Sequence, residues 1–192
     1  MGKTRLEAFS DGVLAIIITI MVLELKVPHS AEWKDLVELY PVFFSYIISF
    51  IYVGIYWGNH HHLLHTIKHV SSGIIWANLN LLFWLSLIPF ATSWMGENNF
   101  SQNPVIVYAV LLLLCGISYT ILQFTIMKNH HFDDKMLAAL RKVSQKGIVS
   151  VIAYSTSIVV AFFNPSISFF FFVAVAILWL IPDKNIEKAL DS

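Results

Sequence analysis

Long stretches without charged residues recur along this chain, and their length limits what it can fold into. A run of roughly 17–25 mainly apolar residues can cross the hydrocarbon core of a bilayer as one helix. Apolar residues make up 57% of the sequence and charged residues 12%, which is typical of integral membrane proteins and argues against a water-soluble core. We therefore predict an all-α, multi-pass membrane protein with six transmembrane helices, at about 8–26, 38–59, 74–95, 104–127, 147–163 and 165–182.

Polar or proline-containing sequences separate these segments. The charged segment 128–146 predicts a break between the fourth and fifth helices, whereas Pro41 and Pro89 lie inside predicted spans, where membrane helices tolerate kinks. The last ten residues, 183–192, alternate charged and apolar side chains and predict a short interfacial helix. Because no internal repeat is evident, we predict a single membrane domain over 1–192.

The basic residues are distributed very unevenly among the connections. Ten of the 12 Lys and Arg residues lie in the N-terminus, the second and fourth connections and the C-terminus. Since basic residues are retained on the cytoplasmic side, both termini are predicted to be cytoplasmic. The formal net charge is zero, so the composition gives no argument for a nucleic-acid partner. Membrane lipid is the partner that the composition predicts.

Charged and polar residues stand directly before the first apolar run. Arg5, Ser10 and Asp11 precede the uncharged residues 12–23. Ionisable groups at the edge of a membrane span are costly unless they have partners, so they usually carry function. The pattern Arg5-x-x-x-Phe9-Ser10-Asp11 followed by an apolar helix resembles the signature of the transmembrane protein 175 family. Members of that family are cation channels and include an endolysosomal potassium channel and smaller prokaryotic homologues.

The first helix has a candidate pore-facing stripe. At 100° per residue, four residues fall within about 40° of one line along the helix, and Thr19 lies at the edge of this stripe. The four are Gly12, Ile16, Ile20 and Leu23. Asp11 lies about 140° from Ile16, which predicts a role in architecture or gating rather than ion coordination. A helix that is apolar all round also has a purely structural interpretation, because burial needs no pore.

The resemblance implies a specific assembly and a specific conduction path. It implies a homotetramer of six-helix subunits in the cell inner membrane, with the first helices surrounding the path of a permeant potassium ion and no cofactor. Hydrophobic side chains matching Ile16, Ile20 and Leu23 would form the constriction, and Thr19 matches a polar position used in some members. Such a neck gates by wetting and dewetting and prefers potassium because this ion loses its water more easily than sodium.

Glu24 follows the same helix at its outer end and allows two interpretations. A ring of four such carboxylates would raise the local concentration of monovalent cations. Alternatively, Glu24 is an interfacial charge that pairs with Lys26 or with lipid headgroups. The residues alone favour neither interpretation.

A histidine cluster is the second unusual feature. His60, His61 and His62 directly follow the second predicted span, 38–59, and are expected at the depth of Ser10 and Asp11. Asn78, on the third span, returns from the same side. We predict a polar network that joins Arg5, Ser10 and Asp11 to one of these histidines and to Asn78.

Other function classes remain as alternatives. His61, His65 and His69 stack at i, i+4 and i+8 on a continuing helix, which would suit a metal or proton-coupled transporter. However, spans 2–6 carry no deeply placed acid to act as a ligand, so no metal site is predicted. A non-conducting membrane scaffold is a further alternative. The chain lacks H-E-x-x-H and G-x-S-x-G motifs, so it is not predicted to be an enzyme.

Overall fold

The computed structural model describes residues 2–180, and the regular structure in that range is helical. The all-α prediction is thereby confirmed for the described residues. The helix predicted at 183–192 lies outside them. The elements, in chain order, are α1 (Lys3–Leu23), α2 (Trp33–Glu38), α3 (Tyr40–His65), α4 (Ser72–Ser86), α5 (Ile88–Glu97), α6 (Gln102–Asn129), α7 (Asp134–Ala161) and α8 (Pro165–Leu180).

Five stretches are long and apolar enough to cross a bilayer: α1, α3, the consecutive α4 and α5 together, α6 and α7. The sixth predicted span corresponds to α8, which is apolar but has only 16 residues within the described range. At 1.5 Å per residue, α8 is about 24 Å long, slightly less than a hydrocarbon core of about 30 Å. The count of six spans therefore stays a prediction.

The two prolines that were predicted to lie within spans differ in position. Pro89 lies in the first turn of α5, just after α4 ends, so the third span is broken there as expected. Pro41 instead lies in the first turn of α3, within the second candidate span but at its start, where it interrupts no helical hydrogen bond. Proline is favoured in a first turn because the missing N–H would have no helical partner there.

The charged segment 128–146 is not a break over its whole length. Helix α7 begins at Asp134 and continues without interruption into the apolar segment. The Asp133 carboxylate caps its N-terminus by accepting a hydrogen bond of 2.8 Å from the Met136 amide. In the first turns of α7, Leu140 is buried against α6, where the Gln123 amide donates to the Leu140 carbonyl. The connection is therefore confined to 130–133.

Helix α1 lies at one edge of the helical bundle, where it packs against α3, α4 and α5. At the end of the bundle near the C-terminus of α1, α5 approaches α3 closely. At Gly96, an added Cβ would lie 2.8 Å from Val42 Cα and would collide with Ser45 Oγ. Only glycine permits this contact. It sets the spacing of α3 and α5, the two helices that pack against α1 together with α4.

Candidate functional site

Helix α1 has one buried face and one open face. Its buried residues follow the helical repeat: Leu6, Ser10, Leu14, Ile17 and Met21. On the opposite side, the exposed fractions of Ile16, Ile20 and Leu23 are 57%, 41% and 79%. A Cβ added at Gly12 would meet no atom within 4 Å. The stripe that the helical wheel predicts thus lies on the open face of the subunit, where another molecule can reach it.

The hydroxyl of Thr19 is already engaged within the helix. It donates to the Ile16 carbonyl at 2.9 Å and lies 3.1 Å from the Ala15 carbonyl. The side chain is exposed, so its oxygen lone pairs remain available on the open face while its proton is held by the backbone. The polar group that Thr19 adds to the stripe is therefore a weak hydrogen-bond acceptor and carries no charge.

An open groove of about 660 Å³ lies between α1 and the α4–α5 segment. Ile16, Ile20 and Phe90 contribute to its apolar walls. Glu24 lies at the end of the groove next to the C-terminus of α1 and accepts a hydrogen bond of 3.2 Å from Ser93 Oγ. The groove is thus mainly apolar, with an acidic side chain at that end.

Within the described residues, Glu24 does not form the ion pair with Lys26 that one interpretation proposed, and its pairing with lipid headgroups stays a prediction. The ammonium group of Lys26 lies 2.6 Å from a carboxylate oxygen of Glu97. This hydrogen bond, with the accompanying charge attraction, raises the pKa of Lys26. Glu24 therefore lies at the same end of α1 as the Lys26–Glu97 ion pair and accepts a hydrogen bond from Ser93.

A buried chain of hydrogen bonds joins α1, α4 and α3 near the first turns of α1. The Asn78 amide nitrogen donates to Ser10 Oγ at 3.0 Å, and Ser10 Oγ donates to the Leu6 carbonyl at 2.9 Å. Asn78 Oδ1 lies 2.6 Å from His60 Nε2, so His60 donates through that nitrogen. All three side chains are buried. Of the three candidate histidines, the structure thus brings His60 to Asn78 and Ser10.

The other predicted members of this network lie elsewhere. Asp11 accepts a hydrogen bond of 3.0 Å from the indole nitrogen of Trp57 instead of contacting the buried chain. Arg5 is exposed and has no hydrogen bond or ion pair with the residues that the structure describes. Phe9 is half exposed on the open face of α1. Within one subunit, the motif thus has one buried member, Ser10. Arg5 and Phe9 are exposed, and Asp11 bonds to Trp57 outside the buried chain.

Trp57 is the site residue that sequence reasoning missed. It lies near the end of the second predicted span, where tryptophan is common as an interfacial residue, and an indole N–H in a membrane also needs an acceptor. Asp11 lies at the matching depth on α1, because α3 runs past α1 in the opposite direction. The sequence signal for this contact was therefore an indole donor and a carboxylate acceptor at the same depth on neighbouring helices.

The remaining histidines do not form a metal site in the described part of the chain. The rings of His61 and His65 are exposed, with their centroids 4.6 Å apart. The ring of His62 lies 5.8 Å from that of His61, and His69 stacks on His130 at 4.4 Å. Within residues 2–180, no group of three or more His, Cys, Asp or Glu side chains is arranged to hold a metal ion.

Comparison with known proteins connects this geometry to a family. The family model described as the endosomal/lysosomal potassium channel TMEM175 matches residues 5–89, which include the motif of α1, His60 and Asn78. A protein of Chryseobacterium sp. (strain P1-3) that is named a potassium channel is 54% identical over 190 residues, covering 99% of this chain and 98% of that protein.

More distant relatives extend the likeness to the fold. A protein of Streptomyces collinus, also named a potassium channel, is 29% identical over 143 residues, covering 70% of this chain and 69% of that protein. The crystal structure of a TMEM175 homolog from Chamaesiphon minutus, described as a lysosomal potassium-selective channel, aligns with a TM-score of 0.82 at 24% identity. The alignment covers 93% of this chain and 96% of that one, which shows a shared fold. With the high identity to the Chryseobacterium protein, these matches show that the chain belongs to the TMEM175 family.

Proposed function

We propose that four copies of this chain form a potassium-preferring cation channel in the cell inner membrane, with α1 of each subunit lining the pore. The observation that carries the proposal is the apolar stripe of Ile16, Ile20 and Leu23 on the open face of α1. Two relatives that are named potassium channels support it, and one of them matches almost the whole chain. Neither an enzymatic role nor a cofactor is part of the proposal.

The proposed mechanism rests on dehydration. Four α1 helices that turn their open faces toward a common axis would form a neck of isoleucine and leucine side chains. A neck without charges offers an ion nothing in exchange for its water, so it conducts only when it is wet and favours the ion that dehydrates more easily. Potassium is that ion. The hydroxyl oxygen of Thr19 and, at the outer end, the carboxylate of Glu24 are the polar groups that a cation would meet.

The buried chain of Ser10, Asn78 and His60 is proposed to hold α1 at a fixed rotation. Each polar group is satisfied in one arrangement, and a rotation of α1 would leave groups unpaired in a low-dielectric interior. Since the rotation of α1 decides which side chains face the neck, the anchor and the pore are coupled. His61 and His62 are outside this anchor and are proposed to be interfacial.

We also propose six spans, with α8 as the sixth, and one domain over the whole chain. The excess of basic residues in the even-numbered connections and at the termini supports cytoplasmic ends. A reporter fused after Ser192 and one inserted at 130–133 are both expected in the cytoplasm, and a reporter at 97–102 outside. Opposite sidedness for 130–133 and the C-terminus would contradict this topology.

Reconstitution into liposomes tests the function. A channel is expected to give discrete single-channel currents, with a reversal potential in a potassium-to-sodium gradient that favours potassium. A transporter that uses the histidines would give saturating flux without discrete currents, and a scaffold would give no flux above protein-free liposomes. Either result would overturn the proposal.

Asp11→Asn is expected to impair assembly or gating while leaving the potassium-to-sodium permeability ratio of the remaining current nearly unchanged. Asparagine keeps an oxygen that can accept from Trp57, so the substitution removes mainly the charge. The measurements are size-exclusion chromatography and the reversal potential.

Trp57→Phe is the matched control, since it keeps the Asp11 carboxylate and removes the hydrogen bond. A large change of the permeability ratio in well-assembled Asp11→Asn protein would show that the carboxylate contacts the ion. That outcome would contradict the positioning role proposed for Asp11.

A further inference from the structure

The outward face of α7 changes from basic to apolar along a single line of the helix. Arg141, Ile148, Ile152 and Val159 lie within about 20° of one line along the helix at 100° per residue. Arg141 is exposed, and each of the three apolar side chains is more than half exposed. Lys142 lies on the flank of this line and is exposed as well. We call this surface, from Arg141 and Lys142 to Val159, the α7 stripe.

Neighbouring residues indicate the depth of the α7 stripe in the membrane. The indole nitrogen of Trp179 donates to Ser150 Oγ at 2.8 Å, and the Lys146 ammonium lies 5.8 Å from the centroid of the Trp179 ring. Tryptophan and lysine gather at the boundary between hydrocarbon and headgroups. That boundary therefore crosses α7 near residues 146–150, and the apolar part of the stripe lies below it.

The basic end of the α7 stripe stands at the level of the headgroups. Arg141 precedes Ile148 by two turns, which is about 10 Å along the helix axis. The headgroup layer is roughly 5–8 Å thick on each side of the bilayer, so the guanidinium lies at its outer edge. An arginine at this level can hold a phosphate through two parallel hydrogen bonds.

Neither Arg141 nor Lys142 has an acidic partner within ion-pair distance in the part of the chain that the structure describes. The Asp133 carboxylate accepts the capping hydrogen bond of α7. The exposed Asp134 lies on the same side of the helix as Arg141, but about 10 Å away along the axis. We propose that the α7 stripe binds an anionic phospholipid, whose phosphate lies between Arg141 and Lys142 and whose acyl chain lies along Ile148, Ile152 and Val159. This inference goes beyond conduction and names the lipid class that the subunit recognises.

Thermal unfolding of the purified protein in detergent, with added lipid, tests the proposal. Phosphatidylglycerol is expected to raise the melting temperature more than phosphatidylcholine at equal concentration. In Arg141→Gln/Lys142→Gln, the apparent affinity for phosphatidylglycerol should fall by roughly 30-fold, about fivefold for each charge removed. Native mass spectrometry should count correspondingly fewer bound phosphatidylglycerol molecules. Both side chains are exposed, so the double variant is expected to fold normally.

Lys68→Gln/Lys128→Gln is the matched control, because it removes two exposed charges from the same end of the molecule. It should keep the preference for phosphatidylglycerol. Equal losses in both double variants would mean general charge attraction and would overturn the proposal.

Two further outcomes would also overturn it. Soluble glycerol phosphate should give no shift, and a shift equal to that of the lipid would make the site one for free anions. A change in the number of subunits in Arg141→Gln/Lys142→Gln would mean that a second copy covers the α7 stripe.

Discussion

Leu23→Ala is expected to raise single-channel conductance or open probability severalfold and to lower the preference for potassium over sodium. Leu23 is the most exposed member of the stripe on α1, so its removal leaves no cavity inside the subunit. In a tetramer, four smaller side chains would widen the neck, and ions would pass with more of their water. Single-channel recording and reversal potentials measure both effects. Ile16→Asn should act in the same direction by making the neck easier to wet.

Leu14→Ala is the matched control, since it makes a comparable change on the opposite, buried face of α1. Leu14 is 1% exposed, and truncations of this kind cost roughly 2–5 kcal/mol in well-packed cores. Expression and melting temperature should fall, while the permeability ratio of the surviving current stays the same. If Leu14→Ala and Leu23→Ala change permeation alike, α1 does not line the pore.

Asn78→Leu is expected to abolish most of the current by releasing the anchor of α1. The variant leaves the His60 Nε2–H group without its acceptor and Ser10 without one donor. A buried polar group that loses its partner costs roughly 1–3 kcal/mol. The melting temperature should fall clearly, and ion flux per folded protein should fall as well. Asn80→Leu is a milder control on the same helix, because Asn80 is only partly buried and bonds to Ser118.

The double variant His60→Leu/Asn78→Leu distinguishes an anchor from simple packing. Replacing both partners of a buried hydrogen bond by apolar groups costs less than removing one, because neither partner of that bond is then left unpaired. The double variant should therefore be more stable than the sum of the two single losses predicts. Additive losses would mean that His60 and Asn78 do not act as a unit.

The helical class and the position of most spans followed from the sequence because the bilayer imposes a minimum apolar length. The start of α7 did not follow, since residues 134–146 look like a polar connection when read alone. Their helix depends on contacts made elsewhere in the chain: Leu140 is buried against α6, and Gln123 bonds to its carbonyl. A tertiary contact of this kind leaves no local signal in a charged segment.

The sequence predicted the level of the polar site along the helix axes, but not the rotation of each helix about its own axis. Counting residues from the ends of the spans places His60, His61 and His62 at the level of Ser10, and Asn78 at the same level. Which histidine faces α4 depends on how α3 is turned, and consecutive residues differ by about 100°. The same uncertainty concealed the hydrogen bond from Trp57 to Asp11, because the rotation of α3 decides whether the indole of Trp57 faces α1.

Under the proposed pore assignment, the separation of α1 into a buried face and an open face would make permeation and folding nearly independent traits. Leu14, Ile17 and their neighbours hold the helix in place, whereas Ile16, Ile20 and Leu23 contribute little to the interior of the subunit. The open-face residues can therefore be exchanged at little thermodynamic cost. A scaffold of this design lends itself to engineering, since a library confined to those three positions would sample ion preference while nearly every variant still reaches the membrane intact.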